Sequence, residues 1–72
     1  MVMININEFV HLNNIIVDMY PYVKSVDINN NEINIIYKPD NKFGIVRQVA
    51  RYENEDLKNL LKKIMKLLDK EN

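Results

Sequence analysis

The chain has no cysteine, no tryptophan and no threonine, and it holds one serine (Ser25), one histidine (His11), one glycine (Gly44) and one alanine (Ala50). Each shortage removes a class of chemistry. Without cysteine there is no disulfide, no thiolate nucleophile and no thiolate zinc site, which fits a reducing compartment. Nucleophilic catalysis needs a Ser, Cys or Thr held beside a base, and a catalytic metal needs several ligands on converging surfaces. One serine and one histidine give an enzyme little to work with. The expectation is a non-catalytic protein that uses no cofactor and no metal. Charge of one sign is missing too, since ten Lys and Arg balance ten Asp and Glu. No apolar run approaches the ~20 residues of a membrane helix, and residues 1–6 lack the basic start and apolar length of a signal peptide. These features predict a cytoplasmic protein with no membrane contact.

What remains is enough for one small domain spanning residues 1–72, with 47% hydrophobic residues. A chain of this size buries only about 60% of its unfolded surface. Pairing as a homodimer, or binding a partner, would add stability to so small a core. Asn, Ile, Lys and Tyr are abundant, and their codons are AT-rich. The usage points to the genome of a low-GC bacterium, its phages or plasmids, or an archaeal virus.

Periodicity divides the chain into five elements. Over residues 8–20, Phe9, Leu12, Ile16, Met19 and Tyr20 recur at helical spacing, with Ile15 widening the stripe. Asn5 and Glu8 have capping-box spacing, Asn7 is an alternative cap, and Pro21 stops the helix. Val10 and Val17 give this helix a second apolar edge. Val26 and Ile28 alternate with Ser25 and Asp27, and Asn29, Asn30 and Asn31 supply turn chemistry. Ile33, Ile35 and Tyr37 then alternate with polar residues as a half-buried strand does. After a turn at residues 39–42, residues 43–52 fit either a strand or a helix, and their β-branched content after a clear turn favours the strand. The last helix has Asn54 as N-cap, Glu55 and Asp56 in its first turn, and an apolar arc through Leu57, Leu60, Leu61, Ile64, Leu67 and Leu68. The expected class is α+β: a helix, a three-stranded antiparallel sheet and a helix (αβββα), with a short extra strand over residues 1–6 as an optional addition.

Several groups are candidates for function. Glu8 and His11 have the Glu-x-x-His spacing of a di-iron ligand pair, but such a site needs a second copy and two further carboxylates, and the sequence has no second copy. Ser25 has no base near it in sequence, and Asp18, Asp27 and Glu32 show no spacing suited to paired acid–base work. Lys58, Lys62, Lys63 and Lys66, with Lys70, lie opposite the leucine arc; they could contact phosphates or serve as an ordinary solvated face. If Ile33, Ile35 and Tyr37 face the helices, Ile36 faces away. One aliphatic pair of the third strand, Ile45 with Val49 or Val46 with Ala50, is then left on that second face together with Arg47 and Arg51. Arginine among apolar side chains is typical of protein interfaces.

The helix, three strands, helix layout is also that of double-stranded-RNA-binding domains. That family sets lysines at the start of its last helix, whereas here the position reads Glu53, Asn54, Glu55, Asp56. The layout, the absence of cysteine and the AT-rich coding also resemble small phage-encoded inhibitors, including certain anti-CRISPR proteins. That resemblance implies tight, non-catalytic binding to a larger host protein. The contacts expected are Ile36, Arg47, Arg51 and Tyr52, with Glu53, Glu55 and Asp56 as a second patch able to mimic phosphates. The alternative is a dimeric nucleic-acid-binding regulator that uses Lys58, Lys62, Lys63 and Lys66.

Overall fold

The computed structural model describes residues 4–71. Along them run α1 (Ile6–Met19), β1 (Val23–Asn29), β2 (Glu32–Tyr37), β3 (Val46–Arg51) and α2 (Leu57–Glu71). The strands form one antiparallel sheet in the order β1-β2-β3, so the chain adopts the α+β, αβββα arrangement. Half of the optional strand over residues 1–6, residues 1–3, lies outside the described residues. Ile4 and Asn5 belong to no strand, and Ile6 already opens α1.

Local chemistry sets most of the boundaries. At the start of α1 the Asn5 side chain accepts from the Glu8 N–H at 2.9 Å, and the Asn5 N–H donates to Glu8 Oε1 at 3.4 Å, a complete capping box. Tyr20, extended ahead of Pro21, closes the helix. Between β1 and β2 only Asn30 and Asn31 turn the chain, with φ of +52° and +62°, the pair of left-handed residues that a two-residue hairpin requires. Gly44 has φ +90° in the β2–β3 connection, where a side chain would be strained. There Asn41 ties the loop: its Oδ1 accepts from the Phe43 N–H, and its Nδ2 donates to the Gly44 and Lys38 carbonyls.

The start of α2 differs from expectation. The N-cap is Asp56, whose Oδ1 accepts from the Asn59 N–H at 2.9 Å, and the helix begins at Leu57. Asn54 instead lies in the approach to the helix with φ +59°, a conformation asparagine tolerates. Glu55 therefore precedes the helix and has a different partner.

Both helices cover the same face of the sheet. Leu12 and Ile16 from α1, Val23 and Val26 from β1, Ile33, Ile35 and Tyr37 from β2, and Leu60, Ile64 and Leu68 from α2 form the buried core. Two tyrosines fasten the helices at their ends. At the leading ends, the Ile4 N–H donates to the Tyr52 hydroxyl at 3.2 Å, and that hydroxyl donates to the Glu55 carbonyl at 3.4 Å. At the trailing ends, the Tyr20 hydroxyl donates to Asp69 Oδ1 at 2.6 Å and to the Met65 carbonyl at 3.3 Å. The helices thus run side by side in the same direction. Stacked Tyr22 and Tyr37 (centroids 5.9 Å apart), with Phe43 against both, close the core at the trailing end.

Burial, and then the Asp69 carboxylate beside it, pushes the Tyr20 phenol up to about 12 from its ordinary 10.0. The fold holds the neutral phenol, so this contribution is complete below pH 10.0 and is lost as pH rises toward about 12. In a spectrophotometric titration, wild type should show a phenolate phase near pH 12 that Tyr20→Phe removes. The same variant should lower stability by about 1 kcal/mol at pH 7, measured by urea denaturation.

Candidate interaction surfaces

The sheet's second face follows from the register. Residues paired across an antiparallel sheet share a face. Ile36, opposite Ser25 and Val46, lies on the outer face, as do Asn34 with Asp27 and Gln48, and Glu32 with Asn29 and Arg51. A bulge at Val49 interrupts β3, because Ile33 pairs with Ala50 while the next residue, Asn34, pairs with Gln48. This extra residue separates the two arginines. Arg51 stays on the outer face beside Glu32, whereas Arg47 pairs with Ile35 and lies on the helix-covered side, exposed at the sheet margin. The grouping of Ile36, Arg47 and Arg51 expected from strict alternation is therefore corrected. The aliphatics also divide differently: Val49 and Ala50 both pack against the core, and Ile45 and Val46 are 65% and 59% exposed.

Two other expected contacts are used internally. Tyr52 is 8% exposed, its ring in the core and its hydroxyl between the helix starts, so it offers no surface to a partner. The Glu55 carboxylate bonds the Lys63 ammonium at 2.7 Å and the Glu53 N–H at 2.6 Å, and Lys63 also donates to the Arg51 carbonyl. Glu55 and Lys63 are thus engaged with each other, and a phosphate or a phosphate site would have to displace this pair to use either. Glu53 and Asp56 remain exposed.

The remaining lysines of α2 are arranged differently. Lys58, Lys62, Lys66 and Lys70 are all exposed, and none forms an ion pair or hydrogen bond among the described residues. Each four-residue step advances about 6 Å and turns about 40°, so the four follow a gently inclined stripe about 18 Å long. Like charges at that spacing repel by a few tenths of a kcal/mol per pair at low salt. Lys58 also sits in the first turn, which contains no acid, at the end where the helix dipole disfavours a cation. The nearest acid along the helix, Asp69, is held by Tyr20.

The catalytic candidates are not brought together. His11 is exposed on α1, Glu8 serves the capping box, and Ser25 is half-buried on β1. Among the described residues no three His, Asp or Glu side chains converge on a metal position. A cleft of about 390 Å³ lies between the start of α1 and the β1–β2 hairpin, bordered by Ile4, Ile6, Phe9, Ile28 and Tyr52 with Asn5, Asn30 and Asn31. Asp27 is the one carboxylate among those lining it, so it lacks the paired groups of acid–base chemistry.

Burial pushes the Glu55 carboxyl up, but hydrogen bonds from Lys63 and from the Glu55 and Glu53 N–H groups outweigh it and hold the group below its ordinary 4.5. Its contribution to stability is present above pH 4.5 and is lost as pH falls through the depressed value. Glu55→Gln should flatten the acid limb of the stability–pH curve. Lys63→Met should cost up to about 1 kcal/mol at pH 7, a modest amount because the pair is partly screened by solvent. Thermal melts from pH 2 to pH 7 check both.

No known family model, curated protein or solved structure matches the chain, so these side chains and their surroundings carry the functional reading.

Proposed function

We propose that this chain is a non-catalytic binding module that works by covering a surface of a larger protein. The observation that carries the reading is the exposure of Ile45 and Val46 as neighbours at the start of edge strand β3. Single exposed aliphatics are ordinary. Val46 opens β3 on the outer face and Ile45 immediately precedes the strand, so the two make one apolar patch at the sheet margin, and half-buried Ile36 continues it across the outer face beside Val46. Arg47 borders this patch on the helix-covered side, and Arg51 lies farther along the outer face. A partner that approaches the β3 margin would cover the aliphatics and meet both arginines, the composition typical of the centre of a protein interface.

The resemblance to phage-encoded inhibitors suggests what the partner is: a nucleic-acid-handling protein in the host cytoplasm, blocked without turnover. Glu53, and the Asp56 oxygen that its helix cap leaves free, would then stand where phosphates bind, without Glu55 and Tyr52. Pairing of two copies through the same margin would be a competing use of the patch.

Affinity capture on the tagged chain from a host lysate should recover one stoichiometric protein. The double variant Ile45→Ser with Val46→Ser should weaken that complex at least tenfold, about 1.4 kcal/mol, when measured by calorimetry with the recovered protein. Both residues are exposed, so the variant should melt as wild type does. Equal recovery by wild type and variant would remove the basis of this reading, and a light-scattering mass of two chains that the variant halves would reassign the patch to self-pairing.

A further inference from the structure

We propose that the outer face of α2 is a second binding surface, distinct from the β3 margin, that takes the phosphate backbone of a nucleic acid without reading its sequence. The helix carries five lysines against Asp69 and Glu71, a net of +3, so the rest of a neutral chain sums to −3. The charge is therefore segregated although the total is zero. Solubility alone does not call for this pattern, because a solvated helix face gains by alternating Glu with Lys at four-residue spacing, and here every position of the row is lysine. The fold also leaves this row unneutralised. Lys63, the lysine off the row, is bound to Glu55, and Asp69 is turned to Tyr20, while Lys58, Lys62, Lys66 and Lys70 stay exposed.

The side-chain types narrow the occupant. A protein interface needs an apolar centre and is poor in lysine, but Leu57, Leu60, Leu61 and Leu68 are packed toward the core, Leu67 is half-buried outside the row, and the stripe has no exposed aliphatic within it. An anionic membrane would be gripped by an amphipathic helix through its apolar face, and that face is already covered. A line of compact cations on flexible stems, spaced about 6 Å apart, suits successive phosphates of one strand. Asn59 is the one uncharged amide among these lysines, too little for base readout, so the contacts would position without specifying.

Fluorescence anisotropy with labelled 20-mers (duplex DNA, single-stranded DNA and single-stranded RNA) tests the proposal. At least one should bind at 50 mM salt, and for the duplex three to four phosphate contacts would weaken affinity about 40- to 150-fold by 200 mM. Lys62→Gln with Lys66→Gln should lower the slope of log affinity against log salt by about 2 and reduce binding at 50 mM at least tenfold. Lys24→Gln with Lys42→Gln, and Ile45→Ser with Val46→Ser, should leave binding unchanged. The Lys62, Lys66 variant should also melt higher than wild type at low salt, since it removes repulsion, so its loss of binding cannot be loss of fold. No binding to any of the three at 50 mM salt, binding indifferent to Lys62 and Lys66, or tighter binding to phosphatidylserine vesicles or polyglutamate than to nucleic acid would overturn the proposal.

Discussion

Both helices lie on the same face of the three-stranded sheet, and among the described residues no helix or strand covers the other face. The one-sided core is the constraint from which the other features follow. It demands apolar residues at Ile33, Ile35 and Tyr37 and polar or half-buried ones between them. It also demands that both helices stay seated, because the sheet has no second layer to hold it. Tyr20 and Tyr52 meet that demand by bridging α1 and α2 at opposite ends, each through a hydroxyl that reaches the other helix or its approach.

A one-sided sheet also has two open edges, which must be kept from pairing with other chains. The helices supply part of the protection. Asn13 of α1 accepts from the Val26 N–H of β1 at 2.8 Å, and Lys63 of α2 donates to the Arg51 carbonyl of β3. The bulges near Lys24 in β1 and at Val49 in β3 spoil the regular ladder that a neighbouring strand would need. Among the described residues, the start of β3, at Ile45 and Val46, is where an open edge coincides with exposed apolar side chains.

What could be read in the sequence was what is decided locally. The Asn5–Glu8 capping box, the Pro21 stop, the asparagine turn and the alternation of β2 each depend on residues within a few positions of one another, and the fold contains all of them. The strand at residues 46–51 was legible from its β-branched residues and the turn before it. The bulges were not, since an extra residue in a strand is fixed by its partner strand and by what the helices must bury. That hid the inward turn of Val23 and put Arg47 and Arg51, expected on one face, on opposite faces. Tyr52 was expected as a contact at the end of the third strand, yet its ring is buried and its hydroxyl lies between two helix starts distant in sequence. The Glu55–Lys63 pair spans eight residues and a helix boundary, beyond the reach of spacing rules, and only with Asp56 as the cap does Glu55 come free to make it.

The allocation of polar groups bears on the choice between recognition and turnover. Several groups that could serve chemistry are committed to the fold: Glu8 and Asp56 cap helices, Glu55 holds Lys63, and Asp69 holds the Tyr20 hydroxyl. A carboxylate engaged this way stabilises a fixed geometry and is poorly placed to move a proton to a substrate. Among the features at the surface of the described residues are an aliphatic corner on β3 and a row of ammonium groups on α2. The corner gains by losing water, and the row gains by releasing the counterions of a polyanion. These two driving forces respond differently to salt, because screening weakens the second and leaves the first intact. A protein carrying both could hold a nucleic-acid enzyme through one surface and its substrate's backbone through the other, and ionic strength would separate the two contacts.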